Sequence, residues 1–287
     1  MVRFIFYTIF ILPAHFVCGQ GYFELLEKLG QEMLNSTDDY IRKEASEEFA
    51  KRIDSLLAND RDFFEAELED IRSLSSLDAP DKRFRILTWS SPNKDLSYNY
   101  FGRILYKEGK LVKYFVLKDN GWKNSKPESR KLDNENWLGA VYFDLIKKKH
   151  RKKVFYILLG WNGNNAFSNK KLIDVLVFDN GTGSINFGAP IFLDKKTTYR
   201  KIFEYGEKSS MSLKFSENEN QIIFDHLSPI EAVQKGQFEF YAPDFTYDAF
   251  KWKKGKWKIE TNIDARNKDL NEGNQRKKPE KGLKPSN

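Results

Sequence analysis

Asp225 and His226 are neighbours in the chain, and a carboxylate beside an imidazole is what a general base requires. They close an apolar, strand-like run, Gln221 to His226. Successive strand residues point to opposite faces, so Asp225 is not expected to orient His226; a bond from the ring to turn backbone is the simpler expectation. Five carboxylates, Asp144, Asp174, Asp225, Asp244 and Asp248, sit inside or at the rim of apolar strand-like runs. Burial there would raise a carboxyl pKa far enough for acid chemistry, and two such groups could cleave a glycosidic bond without a metal. Asp225 and Asp244, with His226, are the catalytic candidates of that reading. His150 is not one of them. It lies within Lys147-Lys148-Lys149-His150-Arg151-Lys152-Lys153, a basic hairpin tip where like charges should keep the ring solvated.

A second kind of chemistry is offered by Gly160-Trp161-Asn162-Gly163-Asn164-Asn165, a polar loop directly after the most apolar run, Val154 to Leu159. An indole gives a stacking face and an amide both donates and accepts, which suits sugar recognition. Trp161, Asn162, Asn164 and Asn165 are therefore the ligand-binding candidates. The competing expectation is a tight connection that uses Asn and Gly for positive φ. The loop lacks the acidic oxygens of a calcium loop.

Several chemistries are excluded by composition. The single cysteine, Cys18, falls in a segment expected to be removed, which leaves no disulfide, thiolate zinc site or Cys nucleophile. Only His150 and His226 follow residue 19, too few for a three-imidazole zinc site, and no G-x-S-x-G elbow supports a serine triad. Neither a Walker loop nor a G-x-G-x-x-G unit is present, so no nucleotide cofactor, no metal and no other cofactor is expected.

The chain of 287 residues carries 48 Lys plus Arg against 41 Asp plus Glu, a formal net charge of +7. Much of the excess sits after Asp264, where Arg266, Lys268, Arg276, Lys277, Lys278, Lys281 and Lys284 face Asp269, Glu272 and Glu280. That stretch reads as a disordered basic tail, residues 264–287. The remainder is nearly balanced, so nucleic acid is not expected as a partner.

Residues 1–19 read as a secretory signal: Arg3 supplies a positive start, Phe4 to Leu12 an apolar run, and Val17 and Gly19 small positions before a cut at Gln20. Pro13 and His15 break the run short of a bilayer span, so no transmembrane segment is expected in the mature chain. The chain is thus expected to be exported to the periplasm, the cell surface or the medium.

The elements that must position these side chains follow from period. Tyr22, Leu26, Leu29 and Met33, then Ile41, Ala45, Phe49, Ile53 and Leu57, recur at helical spacing around an Asn35-Ser36-Thr37-Asp38 break. Residues 20–79 are expected to form an N-terminal helical region: a helical hairpin whose apolar stripe packs on the rest, followed from Phe63 to Leu77 by a connection containing some strand or a third helix. From residue 80 to 263 the period becomes two, in about a dozen short aromatic and β-branched runs that include Gln237 to Tyr241. Turn residues such as Lys253-Lys254-Gly255 join them without helical crossovers. The predicted fold class is α+β, a helical hairpin on a large, mostly antiparallel β domain that is a barrel, a sandwich or a small propeller-like array.

Between Pro80 and Ile259 the phrases Asp81-Lys82-Arg83-Phe84-Arg85-Ile86-Leu87-Thr88-Trp89, Tyr156 to Asn164, Phe187-Gly188-Ala189-Pro190-Ile191-Phe192, Phe224-Asp225-His226-Leu227 and Tyr241 to Phe250 resemble a family of secreted bacterial proteins of the Bacteroidota type that has no assigned activity. The resemblance implies export, and it carries no functional residue onto this chain. Its pattern has Asp where this chain has Asn162, which implies a weaker metal role for the loop here. Taken together, the expected function is an exported, non-catalytic binding module for a glycan or an envelope protein. The alternatives are the carboxylate hydrolase and a scaffold that docks a partner through its helices.

Overall fold

The structure is a computed structural model and describes residues 15–59, 66, 68, 71–108, 111–123, 126–179, 181, 183–193 and 197–264. The apolar run Phe4 to Leu12 and the basic tail after Asp264 lie outside the described residues. Two helices lead, α1 (His15–Asn35) and α2 (Asp39–Asn59). Between them Asp38 Oδ1 accepts the Tyr40 amide at 2.8 Å and Ser36 Oγ accepts the Asp38 amide at 3.2 Å, so the polar break supplies the acceptors a helix start needs.

Strands β1 (Ser75–Asp78), β2 (Phe84–Pro92), β3 (Tyr98–Glu108) and β4 (Leu111–Lys118) form a first sheet in chain order. They are followed by β5 (Val141–His150), β6 (Lys153–Asn162), β7 (Ser168–Asp179), β8 (Ser184–Phe187), β9 (Phe192–Leu193), β10 (Thr197–Thr198) and β11 (Lys201–Gly206). The last are β12 (Leu213–Ser216), β13 (Gln221–Pro229), β14 (Tyr241–Lys253) and β15 (Lys256–Glu260). A second sheet runs β11-β7-β6-β5, with β8 also paired to β7, and a third runs β10-β9-β15-β14-β13-β12. Every pairing between these strands is antiparallel except β15 with β9. The sheets curve as a half-barrel.

Side-chain alternation explains the stacking. On β6, Tyr156 and Leu158 enter one buried cluster with Phe84, Ile86 and Ile104 of the first sheet. Phe155, Ile157 and Leu159 enter another with Ile222, Phe224, Phe250 and Trp257 of the third. The second sheet is therefore covered on both faces, and that is why Val154 to Leu159 is an unbroken apolar run rather than an alternating one. The outer face of β2 and β3 contributes Leu87, Trp89 and Leu105 to a third cluster with Leu26, Met33, Phe49 and Ile53. The rings of Phe49 and Trp89 are 5.5 Å apart, and Arg103 Nε reaches Asp54 Oδ1 at 2.7 Å.

One detail departs from the sequence reading. Gln237 to Tyr241 is not a strand: Phe238–Phe240 makes a 3-10 turn, and the strand proper, β14, starts at Tyr241 and runs thirteen residues. β1, Ser-Ser-Leu-Asp, pairs with β2 as the edge of the first sheet and begins within the connection in which some strand or a third helix is expected.

Candidate functional site

A groove of about 550 Å³ opens where β6 begins and β7 ends. Five cationic side chains line it, and they come from separate stretches of chain: Lys152 and Lys153 from the β5–β6 turn, Lys256 from the start of β15, Arg83 from the turn before β2, and Lys131 from the β4–β5 connection. One carboxylate, Asp179, stands among them. Between the charges the lining is apolar, with Val154, Val177, Phe178 and Tyr199 half-buried and Pro190 exposed.

Local geometry places each of these groups. Lys254 and Gly255 both take positive φ, 51° and 79°, the conformation a two-residue hairpin turn demands. A Cβ on Gly255 would lie 2.4 Å from His150 Cγ, so the β14–β15 turn rests directly against the β5–β6 turn. His150 is thus half-buried at a contact between two sheets and lines the groove, a correction to its expected place on a solvated tip. Like charges along the hairpin are spread by alternation, and the ring between them meets the absent side chain of a glycine. Arg83 lies with its guanidinium 4.4 Å from the centroid of the Phe178 ring, a cation–π contact. Lys256 Nζ donates to the Pro190 carbonyl. The Tyr156 hydroxyl donates to Asp81 Oδ2 at 2.8 Å, and Lys147 pairs with the same carboxylate. Burial alone would push the Asp81 carboxyl up, but hydrogen bonds from Lys147 and Tyr156 outweigh it and hold the group below its usual range.

The catalytic candidates are not brought together as a carboxylate pair. Asp225 turns toward β12 and accepts the Ser212 amide at 2.7 Å. His226 turns toward β14, where its Nδ1 is 2.8 Å from Asp248 Oδ2 and its Nε2 is 3.9 Å from Asp244 Oδ2. The ring bonds a carboxylate, not turn backbone: Phe224 pairs with Asp248, which sets Asp248 diagonal to His226 on the same face, and beyond it a register shift, Asp225 with Tyr247 but Leu227 with Pro243, leaves residues 244–246 opposite His226. The Asp248 hydrogen bond raises the imidazole pKa above its ordinary value, against a smaller opposing effect of burial. Phe245, at the bulge, has φ 67° and is 93% exposed. Among the remaining carboxylates, Asp144 accepts the Leu145 amide at 2.8 Å, and Asp174 is wholly buried with Arg200 Nε at 3.0 Å.

The Trp161 loop bonds its amides to itself and to neighbouring segments. The indole is half-buried and edge-on to Tyr98 at 5.3 Å. Asn162 donates to the Gly139 carbonyl and accepts the Asn164 amide at 2.7 Å. Asn164 donates to Ser168 Oγ and accepts from Lys170 Nζ, both at 2.7 Å, while Asn165 Oδ1 accepts the Phe167 and Ser168 amides. These amides hold a connection together, with Asn164 at φ 41°. The loop presents Asn165, one of the predicted residues, and Phe167, 72% exposed, which no sequence pattern singled out.

Among the described residues no group of three or more His, Cys, Asp or Glu is set to hold a metal ion, and no helix is long and apolar enough to cross a membrane. The groove residues Arg83, Lys131, Tyr199 and Lys256 were not legible as a site, because they are far apart in the chain; the basic run Lys147 to Lys153 was its one visible trace. Comparisons with known protein families, with curated proteins and with solved structures return no match.

Proposed function

We propose that this chain is an exported binding module whose ligand is negatively charged and occupies the groove between the sheets. One observation carries the reading: five cations from four stretches of chain converge on a concavity whose lining also has apolar side chains and one carboxylate. Like charges gathered in one place repel, and an anionic ligand turns that repulsion into attraction. The size is that of a small-molecule site. Export is supported by Arg3, the run Phe4 to Leu12 and the small residues Val17 and Gly19. A neutral glycan or a protein at the Trp161 loop is less well supported, since the side chains of Asn162, Asn164 and Asn165 are hydrogen-bonded to the loop itself or to neighbouring strands and connections. The helical pair, joined to Trp89 through Phe49 and Ile53, is read as a fixed cover of the first sheet rather than a platform for a partner.

The test is a thermal-shift panel of small mono- and diacids against their neutral amides, run on the native chain and on a Lys131→Glu/Lys153→Glu/Lys256→Glu variant. Acids should raise the melting temperature of the native chain and leave the variant unmoved. Equal shifts for acids and amides, or for both proteins, would remove the groove as the site.

A further inference from the structure

Resting on that reading, we propose that the groove takes an amphipathic acid: a small molecule with an anionic head and an apolar body. The argument is one of donors and acceptors. Lysine and arginine heads donate hydrogen bonds and accept none, so the polar end of the ligand must be rich in acceptors, as a carboxylate, sulfonate or phosphate is. A sugar, whose hydroxyls also donate, would need amides and carboxylates in return. Besides backbone, the described lining has Asn186, Asp179, the His150 ring and the Tyr199 hydroxyl for that purpose; Asp179 already accepts the Gly181 amide at 3.0 Å, and the buried Tyr156 hydroxyl donates to Asp81.

The rest of the lining cannot be satisfied by charge. Val154, Val177, Phe178, Pro190 and Tyr199 leave apolar surface open at the strand ends, next to the ammonium groups. A bare polyanion would leave that surface wet, whereas an aliphatic or aromatic body covers it and gains the transfer free energy of its own apolar area. The Arg83 guanidinium stands 4.4 Å from the centroid of Phe178, so positive charge and apolar ring adjoin each other in the lining, as an acid with an apolar body requires. A volume of about 550 Å³ admits a molecule of drug or fatty-acid size and not a polymer segment of many charges.

Two sources share this chemistry, a lipid-derived acid and an aromatic acid, and the experiment separates them. The full chain is titrated with 8-anilino-1-naphthalenesulfonate, read by fluorescence, and the probe is displaced with laurate, 2-naphthoate, inorganic pyrophosphate or the neutral N-phenyl-1-naphthylamine. Because Phe245 offers the probe a second apolar place, the titration is repeated on Phe245→Ser, which should bind unchanged. The expected result is displacement by laurate or naphthoate at least a hundredfold more effective than by pyrophosphate, with a tenfold or greater loss of affinity in Lys131→Glu/Lys153→Glu and in Val177→Asp. Should either variant fail to fold by circular dichroism, Lys131→Gln/Lys153→Gln and Pro190→Ser replace them. Pyrophosphate displacing as well as the organic acids would overturn the amphipathic reading and leave the anion-binding function intact. Affinity unchanged by the charge variants, or equal for the neutral amine, would overturn both.

Discussion

His226 Nδ1 and Asp248 Oδ2 lie 2.8 Å apart although 22 positions separate them in the chain, and the other oxygen of Asp248 accepts the Asn262 amide at 3.0 Å. One carboxylate thus ties three segments, the β13 strand, β14 and the chain after β15, beside the bulge that carries Phe245. Asp244 approaches the opposite side of the ring, so a protonated imidazole meets negative charge on both flanks.

The pH dependence follows from the sign of that shift. The folded imidazole has a pKa above its ordinary value of about 6.5, so its stabilisation is fully present below that ordinary value and is lost as pH rises through the raised folded value. The melting temperature of the native chain minus that of His226→Gln should be largest near pH 5.5 and shrink above it. Calorimetry between pH 5 and 9 measures this, and a difference that stays flat would show that the contact carries no charge component.

Asp174 and Arg200 are both wholly buried, joined through Oδ1 and Nε, with Asp174 Oδ2 and Arg200 Nη2 left without a partner. Arg200 Nη1 also donates to the carbonyls of Pro127 and Arg130, which fixes that connection against the second sheet. Replacing one member leaves a charge stranded in the core. Asp174→Leu is expected to cost about 3–5 kcal/mol, and Asp174→Leu/Arg200→Met less than the single change, measured by urea unfolding. A double variant as unstable as the sum of the singles would mean the two groups act independently.

Gly255 and Gly183 separate a backbone effect from a contact. Both take positive φ, 79° and 66°, but a Cβ meets His150 at the first and nothing within 4 Å at the second. Gly183→Ala should cost about 1–2 kcal/mol from conformation alone. Gly255→Ala should cost more and weaken acid binding, because the β14–β15 turn must move away from the groove. Equal losses in chemical denaturation would show that His150 yields freely.

Phe245 holds a left-handed conformation while almost wholly exposed, so its side chain contributes little burial to offset the strain. Phe245→Gly should leave stability unchanged or raise it by up to about 1 kcal/mol, since relief of strain is partly offset by the freer unfolded chain. A clear loss in thermal unfolding would reveal a packing role for the ring.

Asn162 is buried and serves as both donor to Gly139 and acceptor from Asn164, so Asn162→Ala strands two backbone groups. The expected cost is about 1–3 kcal/mol with acid binding at the groove retained. Loss of groove binding without loss of stability would tie the loop to the ligand.

What the chain determined by itself was local. Helical spacing of Leu26, Leu29 and Met33 and of Ala45, Phe49 and Ile53, the Ser36–Asp38 break, and turns such as Lys254–Gly255 are set by side chains within a few residues of one another, and they are readable for that reason. The unbroken run Val154 to Leu159 announced a strand but not that both its faces would be covered. Everything that concerns function came from long-range register. Strand alternation correctly kept Asp225 from His226, yet nothing within the run Gln221 to His226 shows that pairing with β14 sets Asp248 diagonal to the ring and that a bulge at 244–246 leaves Asp244 near it. The groove is the extreme case: Arg83, Lys131, Lys153 and Lys256 meet only because three sheets stack, and stacking is decided by which apolar faces bury one another, a property of the whole chain rather than of any segment of it.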